Sequence, residues 1–466
     1  MKTGNQEEKT IFMAINRGIL ARNILRAGVL DEILKHKELK VVIVVNKKIH
    51  DYFKKEFSHP NIVLEEVPEK KNGRFRQMVI IFFNGLVYRE TEKRKLKFGG
   101  GNKPPQLLWM YILKHATFSV ASRITALKHL ARWTEEHLFI EKDYDYLFQK
   151  YHPDLVFCAS IYSRGLDFVL IKAAKRFGVL SASMPKSWDT VGRLFFAAPS
   201  DIFILNNEHM REDLVKDQLI PRKNIYISGF PQFDIYTNKK EYLTREQFCA
   251  TTGLSPGKPI VLYASEGAWT HWDDLYLDEL IEKHGILKSY NLVLRPHFSD
   301  VHLKRYDRFR KYTDVYIDDE HMRVSYMFGD KWDPTVENMD WLAQVISASD
   351  VVVTFVSTFT LDAMAFGKPV VNIYYDVSAT RAMPVPMIPM KELYNCVHYN
   401  AILEERSVAL VRSGSEVMEW LHRYVKNPAI HSEERKKTVR KLCYKVDGKS
   451  SERIAGVLLE ILNLKS

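Results

Sequence analysis

"SDVVVTFVSTFTLDAMAFGKPVVNIYYD", residues 349–376, is the stretch whose reading decides the fold. The apolar run at 351–355 reads as a buried strand, and Ser357 and Thr358 then open a helical pattern that carries one carboxylate, Asp362. Gly367, Lys368 and Pro369 end that helix before a second apolar run at 370–374. A strand that feeds a helix leaves unpaired N–H groups at the sheet end, where an anion can sit. Ser357 or Thr358 can cap the helix and still turn a hydroxyl towards a phosphate, while Asp362, one turn in, can reach a ribose diol. An ordinary capped strand-turn-helix explains the same residues, so the rest of the chain has to decide.

With 466 residues, 46% hydrophobic and 27% charged, the sequence is globular and too long for one ordinary core, so two domains are expected. Cys158, Cys249, Cys396 and Cys443 lie far apart, with no CxxC pair and no His/Cys cluster at metal-ligand spacing. That pattern argues against a zinc site or a disulfide scaffold and fits a reducing cytoplasm. The polar start "MKTGNQEEKT" reads as neither a signal nor a transit peptide, and no apolar run reaches the roughly 18 residues of a spanning helix.

Net charge is uneven. Residues 1–228 hold 38 Lys and Arg against 25 Asp and Glu, a net +13, and the remainder holds 30 against 32, a net −2. An excess confined to one half implies that this half meets an anionic partner: a membrane surface, an acidic glycan or lipid-phosphate acceptor, or RNA.

Read for periodicity, strands fall at 11–15, 41–45, 155–158, 179–183, 202–205 and 225–228, and then at 260–264, 292–295, 315–317, 351–355 and 370–374, with helical patterns between. The fold class is therefore α/β, as two tandem Rossmann-like doubly wound domains facing a cleft, with a helical insertion at about 106–139 in the first. The boundary is placed at Gly229 in "ISGFPQFDIY", where Pro231 stops either regular element from continuing. The expected division is a first domain at 1–228, a second at 229–446, and a last helix at 447–466. Ligands of open α/β sheets bind at the carboxyl ends of the strands. In the second domain these loops read "YASEGAWTHWDD", "RPHFSD" and "TFVSTFT".

"ISASDVVVTFVSTFTLDAMAFGKPVV" resembles the donor-nucleotide half of a GT-B glycosyltransferase. "SGFPQFD", "VLYASEG", "LRPHF" and "DGKSSERIAGVL" are similar, in the same order, to segments of the CDP-glycerol glycerophosphotransferases and the UDP-N-acetylglucosamine 2-epimerase-like group, over roughly 225–460. The resemblance implies that Ser357 and Thr358 bind the donor diphosphate, that Asp362 is the ribose-binding carboxylate, that 229–446 is the nucleotide-donor domain and 1–228 the acceptor domain, and that the last helix at 447–466 returns towards the first domain. The chain departs from the retaining sugar transferases in having Asp in "LDAMAFGKP" and Phe355 where another glutamate stands.

Arg295 and His297 follow a strand and are the catalytic candidates: an arginine fork stabilises a diphosphate leaving group, and a histidine can work as acid or base near neutral pH. Gly229, Ser265 and Glu266 join the donor-binding set. Glu266, His271, Asp273 and Asp274 could touch the donor or hold a metal, although no metal and no tightly bound cofactor is expected and the nucleotide-activated donor is a substrate. Arg17, Arg22 and Arg26, in "NRGILARNILRAGV" after the first strand, are the candidate acceptor-phosphate site, and an exposed helix face explains them equally well.

"RFRQMVIIFFNGLVYRETEKRKLKF" (74–98) alternates apolar and cationic clusters, a pattern suited to an anionic bilayer and also to a buried helix with a solvated end. "GGGNKPP" (99–105) reads as a flexible link. Gly448, Lys449 and Ser450 do not make a P-loop, because position 443 is Cys where that motif needs Gly.

These readings converge on a cytoplasmic, membrane-peripheral transferase. It takes a sugar, or alternatively a glycerol-phosphate unit, from a nucleotide donor to an anionic surface-carbohydrate or lipid-linked acceptor. The alternative from another class is a non-catalytic basic scaffold or nucleic-acid-binding protein; no recognised module for nucleic acid occurs, so none is expected as a partner.

Overall fold

In the computed structural model the described residues are 8–68, 72–100, 104–160, 165–238, 241–267, 270–300, 304–320, 328, 330–380 and 386–464. Val- and Ile-rich runs without alternation form strands buried on both faces, as helices on either side of a parallel sheet require. The first sheet contains β1 (Lys9–Ala14), β2 (Leu39–Asn46), β3 (Ile62–Val67), β4 (Leu155–Cys158), β5 (Leu180–Ser183), β6 (Ile202–Leu205) and β7 (Ile225–Ile227), in the order β3-β2-β1-β4-β5-β6-β7. The second contains β8 (Ile260–Ala264), β9 (Asn291–Arg295), β10 (Val315–Ile317), β11 (Val351–Thr354), β12 (Val370–Ile373) and β13 (Ala409–Val411), in the order β10-β9-β8-β11-β12-β13. Every pairing is parallel, with Val351 opposite Val261 and Ile11 opposite Leu155 at the two points where strand order reverses.

Two strands have no counterpart in the periodicity reading. In β3, Glu65 and Glu66 interrupt the apolar run, which an edge strand open to solvent tolerates, and β13 has only three residues at the other sheet's edge. The helices Leu108–Ala121 and Thr125–His137 fill the expected insertion, preceded by Arg74–Asn84 and Glu90–Phe98. Residues 101–103 of "GGGNKPP" lie outside the described residues. Among the described residues no helix is long and apolar enough to cross a membrane.

The last helix, Ser450–Ile461, crosses back to the first sheet, where Ile454, Ala455, Leu458 and Leu459 join the core formed by Ile11, Ile24, Val29 and Val41. Its start is fixed by Asp234, whose carboxylate accepts the N–H groups of Ser450 at 3.0 Å and Ser451 at 2.7 Å, while Ser451 Oγ donates to the Ala27 carbonyl at 2.7 Å. Gly229 faces this crossing with φ +87°, and a Cβ there would stand 2.8 Å from Ser450 Oγ. Its role is to let two chain crossings touch; it does not line the cleft, which corrects its assignment to donor binding.

Candidate functional site

The strand order of the second sheet reverses between β8 and β11, so the loops after these strands diverge and leave a crevice at their carboxyl ends. That crevice opens into a cavity of about 330 Å³, closed on the other side by the first domain. Ser265, Glu266, Arg295, His297, Ser357, Thr358 and Asp362 line it together. Three loops scattered over nearly a hundred positions of sequence thus meet at one wall.

Around Ser265 a hydrogen-bond chain sets the loop after β9. Ser265 Oγ accepts the His297 N–H at 2.7 Å and donates to Asp300 Oδ2 at 3.1 Å. His297 Nδ1 lies 2.7 Å from Ser299 Oγ and accepts the Ser299 N–H at 3.2 Å, and when that hydroxyl also donates the ring proton sits on Nε2. Burial pulls His297 down to about 4, with the Asp300 carboxylate opposing and the Arg305 and Arg295 guanidiniums assisting. Burial thus favours the neutral imidazole of His297 over the imidazolium. Arg295 is buried and its Nη1 donates to Asp318 Oδ2, while Trp341 Nε1 holds the other oxygen of Asp318 at 3.1 Å. The guanidinium is braced from behind and its plane is set before any ligand arrives.

In the loop after β11, Thr358 already has helical backbone angles and makes no side-chain cap, and Ser357 Oγ accepts the Phe359 N–H at 3.4 Å. Ser357 also hydrogen-bonds the Glu266 carboxyl. Burial pushes that carboxyl well above the usual range, and Asp273 and Asp189 nearby reinforce the shift against Arg94. Glu266 is thus held protonated, with Oε2 buried and unpartnered. Asp362 Oδ1 accepts the phenol of Tyr236 at 2.5 Å. Burial pushes Asp362 up to about 6, against the Tyr236 bond and the charges of Arg22 and Arg295.

Of the three acceptor-site arginines only Arg22 lines the cavity, where its Nη2 donates to Gln232 Oε1 at 2.8 Å and its guanidinium lies 5.2 Å from the Trp332 ring centroid. Arg26 faces away: it donates to both oxygens of Glu56 at 2.7 Å, to Asp333 Oδ1 at 2.7 Å and to the Pro334 carbonyl at 2.8 Å. It is a structural tie between the two halves of the chain, a correction forced by charge pairing in a buried place. Arg17 is also absent from the cavity wall and acts on the buried Asp167 carboxyl. The N–H groups of Gly18 and Ile19, at the helix start beside Arg17, are taken by Asp330 at 2.9 and 3.2 Å.

Asp273 and Asp274 are fully buried under Arg305 and Arg308, with Arg305 Nη2 2.8 Å from Asp273 and Arg308 Nη2 2.8 Å from Asp274. Asp273 also accepts the Tyr306 hydroxyl at 2.6 Å and the Glu266 N–H at 3.0 Å, so it shapes the loop from below. Among the described residues no group of three or more His, Cys, Asp or Glu side chains is placed to hold a metal ion.

The wall supplied by the first domain escaped the sequence reading. Thr91, Arg94 and Lys95 reach the cavity from the helix Glu90–Phe98, and Lys186, Asp189 and Arg193 from the loop after β5. Burial raises the Asp189 carboxyl, but Arg193, His398 and Ser187 outweigh it and hold this residue well below the carboxylate range. The rule that chemistry follows strand ends points to "MPKSWDTVG" as directly as to the loops of the second sheet. Tyr236 stands in "SGFPQFDIY", but nothing in spacing shows that it meets Asp362.

Comparison with solved structures places this architecture in a known group. The UDP-GlcNAc 2-epimerase from Neisseria meningitidis, bound to UDP-GlcNAc, aligns with a TM-score of 0.53 at 13% identity, over 97% of this chain and 100% of its own. The wall teichoic acid polymerase TagF, as a variant soaked with CDPG, aligns with a TM-score of 0.51 at 13% identity, over 99% of this chain and 91% of its own. At such identity the likeness establishes the two-domain GT-B fold. No curated protein sequence matches. Residues 173–460 match the family described as CDP-Glycerol:Poly(glycerophosphate) glycerophosphotransferase, and since this covers more than half of the sequence, the chain belongs to that family of transferases.

Proposed function

We propose that the protein transfers a glycerol-phosphate unit from CDP-glycerol to a hydroxyl of an anionic surface-polymer or lipid-linked acceptor. The observation that carries this reading is the convergence of Arg22, Arg295, His297, Ser357, Thr358 and Asp362 on one cavity. Family membership puts glycerol phosphate ahead of a sugar as the transferred unit.

In this reading Asp362, with one oxygen on Tyr236, offers the other to the ribose diol. Arg295, His297 Nε2–H and the hydroxyls of Ser357 and Thr358 surround the diphosphate. The acceptor oxygen attacks the phosphorus that bears glycerol, the bond from that phosphorus to the bridging oxygen breaks, and CMP leaves with the bonding electrons. Negative charge grows on the leaving phosphate, where a braced arginine and neutral N–H donors stabilise it more than they stabilise the bound donor. Of the three carboxyls that line the cavity, burial drives Glu266 up and the pairing with Arg193 holds Asp189 down. Asp189, whose two oxygens already accept Ser187 and Arg193, is held too acidic to take the acceptor hydroxyl's proton.

The test is calorimetry and thermal shift against CDP-glycerol, CMP, and UDP- and GDP-linked sugars, with and without magnesium, and with short single-stranded RNA as control. Selective binding of CDP-glycerol and CMP is the expected result. Stabilisation by a UDP- or GDP-sugar instead moves the assignment to sugar transfer, and stabilisation by RNA alone removes the transferase reading.

A further inference from the structure

Residues 330–334 come from the second half of the chain but are held by the first domain. Asp330 takes the N–H groups of Gly18 and Ile19, and Asp333 Oδ2 accepts the Tyr52 hydroxyl at 2.7 Å. Between these two ties the backbones meet at Gly18, where a Cβ would stand 1.7 Å from the Trp332 carbonyl oxygen. Immediately afterwards Thr335 and Asn338 cap each other at the start of the helix Val336–Ala348, which belongs to the second domain. Trp332 is thus fixed at backbone level from both sides, and its side chain lines the cavity.

Two contacts of the indole decide its role there. Phe298 stacks on it with centroids 4.6 Å apart and planes 11° from parallel, and the Phe298 ring in turn lies 4.2 Å from that of His297. The Arg22 guanidinium stands 5.2 Å from the same indole. Arg22 differs from Arg295, which is neutralised by Asp318. The hydrogen bonds of Arg22 go to neutral amides, from Nε to Asn23 Oδ1 at 3.0 Å and from Nη2 to Gln232 Oε1 at 2.8 Å. Among the described residues no carboxylate bonds it, and Asp362 and Asp330 act on it only across space. A guanidinium lining a cavity without a bonded counter-charge is completed by an anion, and a phosphate fits its planar fork.

We infer that Trp332 is a positioning residue that holds the Arg22 guanidinium against the phosphate oxygens of the nucleotide. The charge belongs to the first domain, and the aromatic plate that orients it belongs to a segment of the second. A π face restricts how a guanidinium can lie, so its donors are set before the phosphate arrives. Arg295 and Arg22 then meet one anion from different halves of the chain. The identity of that anion rests on the function proposed above; the dependence of Arg22 on Trp332 does not.

The experiment is a double-mutant cycle in the full chain, read as CMP affinity by calorimetry. Trp332→Ala should weaken CMP about tenfold and Arg22→Gln at least as much. The double variant should match Arg22→Gln within about twofold, because an indole that acts through Arg22 has nothing to act on once the guanidinium is gone. Trp332→Phe, which keeps a π face, should stay within about threefold of the wild type. Thermal transitions check that each variant is folded, and Trp332→Leu replaces Trp332→Ala if that variant is not. Additive losses overturn the inference, since an indole that is merely structural, or that touches the nucleotide itself, gives them. Wild-type affinity in Trp332→Ala, or a Trp332→Phe as weak as Trp332→Ala, overturns it too. If the wild type binds UDP and not CMP, the donor proposed above falls while the same cycle, read with UDP, still decides the inference. A wild type that binds no nucleotide overturns both.

Discussion

The hydroxyl of Tyr236 donates to Oδ1 of Asp362 at 2.5 Å, joining the segment between the two sheets to the first turn of the helix Phe359–Ala365. Both groups are buried, and Asp362 lines the cavity.

Binding should report the titration of Asp362. The folded state holds this proton more tightly than the unfolded chain, so the carboxyl stabilises the fold below the ordinary carboxylate range and that contribution fades as pH rises through about 6. A ribose diol needs the ionised form. CMP affinity measured by calorimetry should therefore fall about tenfold per pH unit below this point. Asp362→Asn should flatten the profile, weaken binding at neutral pH, and raise stability there.

Arg295 is braced by Asp318, and Lys cannot reproduce a planar fork held from behind. Arg295→Lys should lower kcat about 10²- to 10³-fold, with a smaller change in KM for the donor, in initial-rate measurements. Equal loss in both donor affinity and rate would place the residue in ground-state binding alone.

Burial favours neutral His297 at physiological pH, and the role proposed for it is donation from Nε2. The rate should show no step between about pH 5 and 8 that His297→Gln removes, and that variant should retain more activity than His297→Ala.

Arg26 carries a different expectation, since it joins Glu56 and the fully buried Asp333. Arg26→Ala should cost about 3–5 kcal/mol in urea unfolding by leaving Asp333 uncompensated, with CMP affinity in the folded protein unchanged. A stable variant that loses acceptor affinity instead would return Arg26 to the acceptor site.

Much of the fold was legible because parallel strands buried on both faces write themselves as unbroken Val and Ile runs; 155–158, 202–205, 260–264 and 315–317 coincide with β4, β6, β8 and β10. β3 was missed since Glu65 and Glu66 suit an exposed edge. The cavity wall on the second sheet was legible from strand-end loops, which bring Ser265, Arg295, His297 and Ser357 together. The opposite wall was not, because Arg94 and Asp189 become neighbours of Glu266 only through domain packing. Arg26 shows the same limit from the other side: spacing grouped it with Arg22, and a partner more than three hundred residues away removed it.

The return of the helix Ser450–Ile461 to the first sheet bears on how the protein is made. Leu458 and Leu459 belong to the same core as Ile11 and Val41, so a nascent chain carries an uncovered apolar surface on its first domain until that helix has left the ribosome. Synthesis order and folding order are thus uncoupled: the half that is translated first is the half that is sealed last.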